Sequence, residues 1–564
     1  MTSSDMVSIS ADTDTAESVQ GGEPVGVPTV GDAVASLASA FRNGASLSRE
    51  SIGLGTELIR ITAGRSQLVP SKADRRFSDS AWATNPAYHR IEQAYLAWAA
   101  AVRRLVDDYA TTTPDFRRAE RAIFAANILT GACAPTSFFM TNPAAIKYAF
   151  DTGGLSVLRG ARHFLSDLRR NGGMPSQVDR SRFEVGRNLA ASPGAVIDRD
   201  PFAEVIHYQP ATATVARRPV LAVPPPIGRY YFLDLAPGRS FVEFAVSRGL
   251  ELFVLSWRNP AAEHSEWDLD SYARRVLSAI DTVREITGND DVDLMGFCAG
   301  GIIATTVLNH LAAIGDDRVN SMSYAVTLLD LGERAPIAAF QGSALLDFAK
   351  RRSRRKGIIT SRDMGAAFTW MRPDDLVFNY WVNDYLMGKE PPAFDIFAWN
   401  ADGTNLPGAL HGQFLDIFRR NLLVQPDGIS VLGTPVRLNR IKVPSFVVGA
   451  ITDHLTPWQG CYRTTRLLGG DATFVLTWSG HVASLVNPPD NPKAHYWTGG
   501  APGQDPDAWF AAATKHQGSW WEVWADWVTR NADGRRPAPE RLGSKEHPVL
   551  DPAPGRYIRD VAPD

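Results

Sequence analysis

The clearest pattern along the chain is a set of short, almost uninterrupted apolar runs that begins after Pro219. Segments with helical periodicity separate most of these runs. Strands covered by helices on both faces have this composition, so the pattern predicts a mostly parallel sheet in an α/β layered fold. The runs are VLAVPPP (220–226), LELFVLSW (250–257), VDLMGF (292–297), SYAVTLLD (323–330), SFVVGA (445–450) and TFVLTW (473–478).

A long stretch between the fourth and fifth runs has the composition of a folded subdomain. Residues 331–444 are far too many for one crossover connection, so we expect an inserted cap at about 332–430. The stretch is rich in aromatic residues, as in FTWMRPDDLVFNYWVNDYLMG at 368–388. These aromatics fit either the packed core of the cap or an apolar pocket that keeps water out.

The chain before these runs is predicted to be helical, after a variable and partly disordered tail over residues 1–75. Its first 30 residues are rich in Ser, Thr, Asp and Gly and lack the charged start and apolar core of a signal peptide. A mainly helical region over 76–205 and a catalytic α/β region over 206–564 follow. Within Tyr88–Asp108, helical spacing places several apolar residues on one stripe: Ile91, Tyr95, Leu96, Trp98 and Val102.

Composition excludes several classes of protein. Lys and Arg number 58 against 61 Asp and Glu, a net charge of −3, which gives no electrostatic reason to expect nucleic acid as a partner. No apolar run reaches the roughly 18 residues that a membrane-spanning helix needs. Three cysteines in 564 residues argue against a disulfide framework and fit a reducing cytoplasm. Two of them, Cys133 and Cys461, are predicted to be packing residues.

The most specific chemical motif is DLMGFCAGGIIATTVLNHL at 293–311, in which an apolar strand leads through GFCAGG into an amphipathic helix. This is a G-x-C-x-G form of the nucleophile elbow, whose tight turn requires small neighbours. Cys298 then projects over the helix N-terminus, where the dipole and free amides favour a thiolate. The alternative is that Cys298 is a buried packing residue beside glycines.

Two later residues supply the partners that a nucleophile at Cys298 needs. Asp453 follows SFVVGA in GAITDHLTPW, and His481 follows TFVLTW in SGHVASLVNPP. The order nucleophile, acid, histidine, each after a later strand, is the one such elbows use. His481 would form the thiolate and Asp453 would orient the imidazole. Alternatively, Asp453 caps a helix beginning at Pro457; His454, next to the acid in the same loop, is expected to point elsewhere.

The elbow also predicts where an oxyanion would bind. One donor is the amide of Ala299, directly after the nucleophile, and the second comes from the loop after an early strand. That loop is PPPIGRYY at 224–231, with Ile227 as the candidate donor. The alternative is that this proline-rich loop only shapes the site.

Neither a metal nor a cofactor is expected. The sequence has no metal-ligand spacing, no Walker loop and no G-x-G-x-x-G loop. The basic cluster KRRSRRK at 350–356 fits two interpretations, contact with the phosphates of an acyl carrier or a solvated helix face.

Long segments outside the elbow resemble the polyhydroxyalkanoate synthases, and the resemblance runs from about residue 75 to the C-terminus. The segment 362–388 and the chain length are similar to single-subunit synthases that use medium-chain monomers, whereas Phe297 is closer to the short-chain type. The segments are TGGLSVLRGARHFLSDLRRNGGMPSQVD (152–179), VPPPIGRYYFLDL (223–235), FVLSWRNP (253–260), MGFCAGG, RDMGAAFTWMRPDDLVFNYWVNDYLMG (362–388), DHLTPW and SGHVASLVNPPDNPKA.

The resemblance implies an α/β-hydrolase catalytic domain with a cap, and an acyltransferase that polymerises (R)-3-hydroxyacyl-CoA into polyester. CoA is then a leaving group, and Cys298, His481 and Asp453 are nucleophile, base and acid. It also implies a homodimer in the cytoplasm, on the surface of polyester granules. Whether His481 or Asp453 serves as base in elongation stays open. Two alternatives are retained: a thioesterase or esterase with the same residues, and a non-catalytic granule-associated protein.

Overall fold

The computed structural model describes residues 30–42, 44–332, 336–341 and 343–561. Its centre is an 11-stranded sheet in the order β10-β9-β8-β7-β6-β5-β3-β4-β2-β1-β11. In chain order the strands are β1 (Gly194–Arg199), β2 (Ala203–Tyr208), β3 (Val220–Val223), β4 (Leu252–Trp257), β5 (Val292–Phe297), β6 (Val319–Ala325), β7 (Ser445–Ala450), β8 (Ala472–Thr477), β9 (His495–Thr498), β10 (Thr514–Gln517) and β11 (Asp551–Pro552).

The six strands β3 to β8 pair in parallel, and antiparallel strands extend the sheet at both edges. Alternate residues of one strand serve different cores: Leu221 and Val223 face one side, while Val220 and Ala222 face the other. Helices cover both faces, which is why the runs are apolar at nearly every position. These helices are Phe241–Ser247, Leu269–Thr287, Ala299–Ile314, Trp458–Leu467, His481–Leu485, Pro506–Ala512 and Trp520–Asn531.

All six predicted strands are present, and the fourth is displaced toward the N-terminus. It was predicted at 323–330 but spans Val319–Ala325. Val326 leaves the sheet with a positive φ of 44°, although the residues after it, such as Leu329, remain buried. Buried loop residues are as apolar as strand residues, so the run could not mark the strand's end.

The N-terminal region is helical, as its periodicity predicted, and its longest helix is Pro86–Thr112. Asn85 caps this helix by accepting the N–H of Ala87 at 2.9 Å. Of the predicted stripe, Tyr95 and Val102 are buried, but Ile91 is exposed. The other helices are Val30–Ala40, Gly44–Thr62, Ala81–Thr84, Phe116–Ala132, Pro143–Asp151 and Leu155–Arg170.

The predicted division into regions stays a prediction. Residues 1–29 of the predicted tail lie outside the described residues, and the boundary placed after residue 205 falls within β2. Within the described ranges, no helix is both long and apolar enough to span a bilayer.

The stretch between β6 and β7 folds as a largely helical layer that also touches the N-terminal helices. The Trp381 indole N–H donates to the carbonyl of Ser137 at 2.9 Å, and the Arg117 guanidinium donates to Gln341 at 2.7 Å. Its helices are Ser343–Lys356, Ser361–Trp370, Asp395–Asn400 and Gly408–Arg420, with π-helical turns at Asp374–Phe378 and Trp381–Leu386. Short strand pairs are Ile358–Ile359 with Leu406–Pro407, and Ser430–Val431 with Thr434–Pro435.

Candidate active site

Cys298 occupies a strained turn between β5 and the helix Ala299–Ile314. Its backbone has φ 49° and ψ −122°, a conformation that residues other than glycine rarely adopt. The turn needs small neighbours: a Cβ at Gly300 would lie 2.2 Å from the carbonyl oxygen of Val223, and one at Gly296 would lie 2.5 Å from the Cα of Gly301. The sharp strand-to-helix turn predicted from GFCAGG is therefore present.

Hydrogen bonds to its backbone hold Cys298 in this conformation. Its N–H donates to the carbonyl of Ala325 at 3.0 Å, and its own carbonyl accepts from the N–H of Gly301 at 3.0 Å. The hydroxyl of Thr327 donates to the same carbonyl at 3.2 Å. The side chain is half-buried and stands at the N-terminus of the following helix, where a negative charge is stabilised. These hydrogen bonds thus hold the strained backbone of Cys298, while its side chain remains partly exposed.

Asp453 and His481 form the ion pair at the same edge of the sheet. His481 Nδ1 lies 2.6 Å from Asp453 Oδ2. Asp453 follows β7 and His481 begins the helix after β8, just as Cys298 follows β5. Since these strands are parallel, their carboxyl ends bring the three residues to one edge, where Cys298 lies close enough to His481 to raise the pKa of its imidazole. The structure therefore brings all three sequence-predicted residues together.

The charges of this pair stabilise each other. Burial lowers the pKa of His481, but the carboxylate of Asp453 and the thiolate form of Cys298 outweigh it, so that the pKa is raised well above its usual value. Burial also raises the pKa of Asp453, but the positive charge of His481 and the hydrogen bonds to the carboxylate lower it overall. Both shifts favour an imidazolium beside a carboxylate, the state that follows when His481 takes a proton from the thiol.

Thr456 is a site residue that the sequence analysis missed. Its hydroxyl donates to Asp453 Oδ2 at 2.6 Å and lies 3.1 Å from His481 Nδ1. Asp453 Oδ1 in turn accepts the backbone N–H groups of Leu455 and Thr456 at 2.8 and 2.9 Å. The available signal was a threonine three residues after an aspartate in a loop, a spacing at which local side-chain hydrogen bonds form.

The alternative interpretations of this loop do not hold. The helix after it is Trp458–Leu467. The backbone N–H groups that the Asp453 carboxylate accepts belong to Leu455 and Thr456, which precede that helix, so Asp453 does not cap it. His454 is not paired with the acid. Its Nδ1 is buried without a hydrogen-bond partner in the described part of the chain, and burial lowers its pKa to about 4.

The two amides predicted to bind an oxyanion lie on neighbouring segments. Ala299 is the first residue of its helix, so its N–H has no intrahelical partner. The loop with Ile227 packs against this helix, because a Cβ at Gly300 would also lie 2.6 Å from the carbonyl of Pro224. The N–H of Ile227 meets no hydrogen-bond acceptor among the described residues. The role of both amides stays a prediction.

Thr404, from the inserted stretch, fixes the loop that contains Ile227. Its hydroxyl donates to the carbonyl of Pro226 at 2.7 Å and accepts the N–H of Gly228 at 2.8 Å. The bonds thus fall on the two residues that flank Ile227. Sequence reasoning missed Thr404 because the contact joins positions far apart in the chain.

The two remaining cysteines differ from each other. Cys461 is buried, and its thiol lies 3.6 Å from the carbonyl of Thr456. Burial raises the pKa of this thiol well above the usual value, which agrees with a packing role. The packing role predicted for Cys133 is wrong, because Cys133 is exposed at the C-terminus of the helix Phe116–Ala132.

In the basic cluster, Lys350 pairs with Asp416 at 2.5 Å, while Arg354 and Arg355 are exposed.

Two family models match long segments of this chain. A family model for the N-terminus of poly-beta-hydroxybutyrate polymerase (PhaC) matches residues 73–245, and a model for the alpha/beta hydrolase fold matches residues 237–488. Among solved structures, a monoacylglycerol lipase from Paleococcus ferrophilus aligns with 57% of this chain and 96% of its own, at 14% identity and a TM-score of 0.32.

Named relatives match nearly the whole chain. Poly(3-hydroxyalkanoate) polymerase 2 of Ectopseudomonas oleovorans is 44% identical over 508 residues, which cover 90% of each chain. The polymerase subunit PhaC of Cupriavidus necator is 38% identical over 507 residues, covering 88% of this chain and 85% of its own. The α/β-hydrolase fold and the family resemblance seen in the sequence motifs are thus confirmed, and this chain belongs to the poly(3-hydroxyalkanoate) polymerases.

Proposed function

We propose that this enzyme polymerises (R)-3-hydroxyacyl-CoA into a polyester with release of CoA, and that Cys298 carries the acyl group as a thioester. The observation that carries the proposal is the contact of His481 Nδ1 with Asp453 Oδ2 at 2.6 Å, at the sheet edge where Cys298 lies close enough to raise the pKa of the imidazole. A cysteine suits this exchange, because one thioester replaces another at little cost in free energy and the acyl group stays activated.

The loading step moves the acyl group from CoA to Cys298. His481 accepts the thiol proton, and the thiolate attacks the thioester carbonyl carbon. The amides of Ala299 and Ile227 bind the oxyanion of the tetrahedral intermediate. The bond between the carbonyl carbon and the CoA sulfur then breaks, and His481 returns its proton to the CoA thiolate. The products are acyl-Cys298 and CoA.

The elongation step forms the ester. The 3-hydroxyl of the next monomer attacks the carbonyl carbon of acyl-Cys298, a base removes the hydroxyl proton, and the Cys298 thiolate leaves and is reprotonated. The contacts of Asp453 favour His481 as this base. One carboxylate oxygen already accepts two backbone amides, and the other accepts Thr456 and His481.

The inserted stretch would exclude water, which otherwise hydrolyses acyl-Cys298. The Trp399 indole N–H donates to the carbonyl of Arg229 at 2.7 Å. The Trp399 ring packs edge-to-face against Phe232, and the Phe232 ring centroid lies 5.5 Å from that of Phe297. This aromatic cluster joins the stretch to the residue directly before Cys298. We extend the proposal to a cytoplasmic homodimer at the surface of the polyester it makes.

The test is release of CoA from (R)-3-hydroxybutyryl-CoA and (R)-3-hydroxydecanoyl-CoA, with recovery of insoluble product. Cys298→Ala should abolish both readouts, while Cys133→Ala, which removes an exposed cysteine, should leave both unchanged. The faster substrate assigns the preferred chain length. CoA release with only soluble acid would instead identify a thioesterase, and no release with either substrate would favour a non-catalytic granule protein.

A further inference from the structure

The helix Leu155–Arg170 is amphipathic, yet the face it buries is the polar and small one. Ser156, Gly160 and Asp167 are its buried residues. Globular proteins usually bury the apolar stripe of a surface helix, because that stripe gains most from leaving water. Here the apolar stripe is left outside.

Close backbone contacts fix this orientation. A Cβ at Gly160 would lie 1.9 Å from the carbonyl oxygen of Tyr385, and one at Gly388 would lie 2.1 Å from the carbonyl oxygen of Ser156. The Tyr385 hydroxyl also donates to Asp167 at 2.8 Å. A rotation that buried the apolar stripe would replace these small residues with leucines at positions without room for a Cβ. The outward direction of the stripe is therefore built into the packing.

The outward stripe, which we call the leucine face, consists of Leu155, Leu158, Leu165 and Leu168, exposed by 62%, 69%, 52% and 49%. The preceding segments add Met140 and Phe150, exposed by 77% and 82%. Single exposed apolar side chains are ordinary on protein surfaces. Several on one helix face form a patch of the kind that marks an interaction site.

Arginines border the leucine face. The exposed arginines are Arg159, Arg162, Arg169 and Arg170. At about 3.6 residues per turn they lie on both sides of Leu155, along one edge of the stripe that the other three leucines form. We call them the arginine edge; within the described part of the chain none of them pairs with a carboxylate. This local positive charge stands out in a chain whose net charge is −3.

We propose that the leucine face and the arginine edge together bind an anionic lipid surface. Leucines at the level of the acyl chains and arginines at the level of the phosphates are the two features that place an amphipathic helix in such an interface. A second copy of the chain is disfavoured as occupant, since self-pairing would bring the arginine edges together. The polyester itself is disfavoured because its repeating esters carry no negative charge.

The test is cosedimentation of the full-length protein with vesicles of phosphatidylglycerol and phosphatidylcholine, beside vesicles of phosphatidylcholine alone. Binding should require the anionic lipid and weaken at high ionic strength. Leu158→Ser with Leu165→Ser should weaken binding about tenfold or more, since two leucine side chains no longer enter the acyl-chain region on binding. The matched control is Ile52→Ser with Ile59→Ser, which has the same seven-residue spacing and 71% exposure at both positions, and should bind as the wild type does.

A second variant tests the charge. Arg159→Gln with Arg162→Gln and Arg169→Gln should bind anionic and neutral vesicles equally weakly. Both sets of variants should release CoA from soluble substrate at the wild-type rate, which separates this proposal from that of the catalytic function. Three results would overturn it: no binding to anionic vesicles, binding to polyester particles but not to vesicles, or self-association that the leucine variant abolishes.

Discussion

The hydroxyl of Thr456 donates to Asp453 Oδ2 at 2.6 Å, on the same carboxylate oxygen that accepts His481 Nδ1. Thr456 is itself buried, so this bond is shielded from water. A hydrogen bond to a buried charge is worth about 1.5–3 kcal/mol. Thr456 is therefore a positioning residue, which fixes the carboxylate that in turn fixes the imidazole.

Thr456→Val removes the hydroxyl and keeps the branched shape. We expect kcat to fall about tenfold or more with little change in KM, because the loss concerns the geometry of His481 and not substrate binding. The acidic limb of the pH profile should move to higher pH, since the carboxylate loses a donor that lowers its pKa. Thr456→Ser should restore most of the rate. Wild-type activity in Thr456→Val, or a loss in Thr456→Ser as large as that in Thr456→Val, would contradict a role carried by the hydroxyl.

The ion pair predicts how stability depends on pH. The pKa of His481 is raised above 6.5 in the folded state, so its contribution is complete below that pH and is lost as the pH rises through the folded value. The pKa of Asp453 is lowered from 3.8, so its contribution is complete above that pH and is lost on acidification. The free energies of unfolding of the wild type and His481→Gln, measured with a denaturant, should therefore differ most between pH 3.8 and pH 6.5, by about 1–3 kcal/mol. A difference that grows toward alkaline pH would contradict the pairing.

The elbow predicts a sharp difference between two glycines. In Gly300→Ala the new methyl group would meet the backbone carbonyl of Val223 at 2.2 Å, which cannot move without displacing β3. We expect loss of activity and a fall in the free energy of unfolding of about 2 kcal/mol or more. Gly365→Ala, on a helix and with nothing within 4 Å, is the control and should stabilise by about 0.5–1 kcal/mol. Full activity in Gly300→Ala would be incompatible with this turn.

Thr404 links the inserted stretch to the candidate oxyanion site. Thr404→Val removes both hydrogen bonds that flank Ile227. If the Ile227 amide stabilises the transition state, kcat should fall about tenfold with KM nearly unchanged. Thr404→Ser should retain the wild-type rate. A rise in KM alone would show that the loop binds substrate without serving the oxyanion.

The sequence predicted the parallel strands and the elbow because burial and turn geometry leave local signals. The apolar run VDLMGF coincides with β5, and the residues after it are the small ones the turn needs. β2 left no such signal. Its residues Glu204 and His207 are fully buried, and the carboxylate of Glu204 accepts the backbone N–H of the distant residue Tyr557 at 3.1 Å. Such pairing allows a buried strand to contain polar residues, so its sequence lacks the apolar run that marks the other strands.

The same difference separates the site residues that were found from those that were missed. Cys298, Asp453 and His481 each follow an apolar run, so their places at one sheet edge could be derived from strand order. Thr404 acts across the fold on Pro226 and Gly228, and no local pattern marks such a contact.

The central claim is that Cys298 carries the acyl group, and the most direct test is to trap that thioester. The enzyme would be mixed with (R)-3-hydroxyacyl-CoA, quenched in acid, digested and analysed by mass spectrometry. We predict a hydroxyacyl adduct on the peptide that contains Cys298, labile to hydroxylamine and absent from His481→Gln, in which the thiolate is not formed. An adduct on Cys133 or Cys461, or turnover with no adduct on any cysteine, would contradict the account.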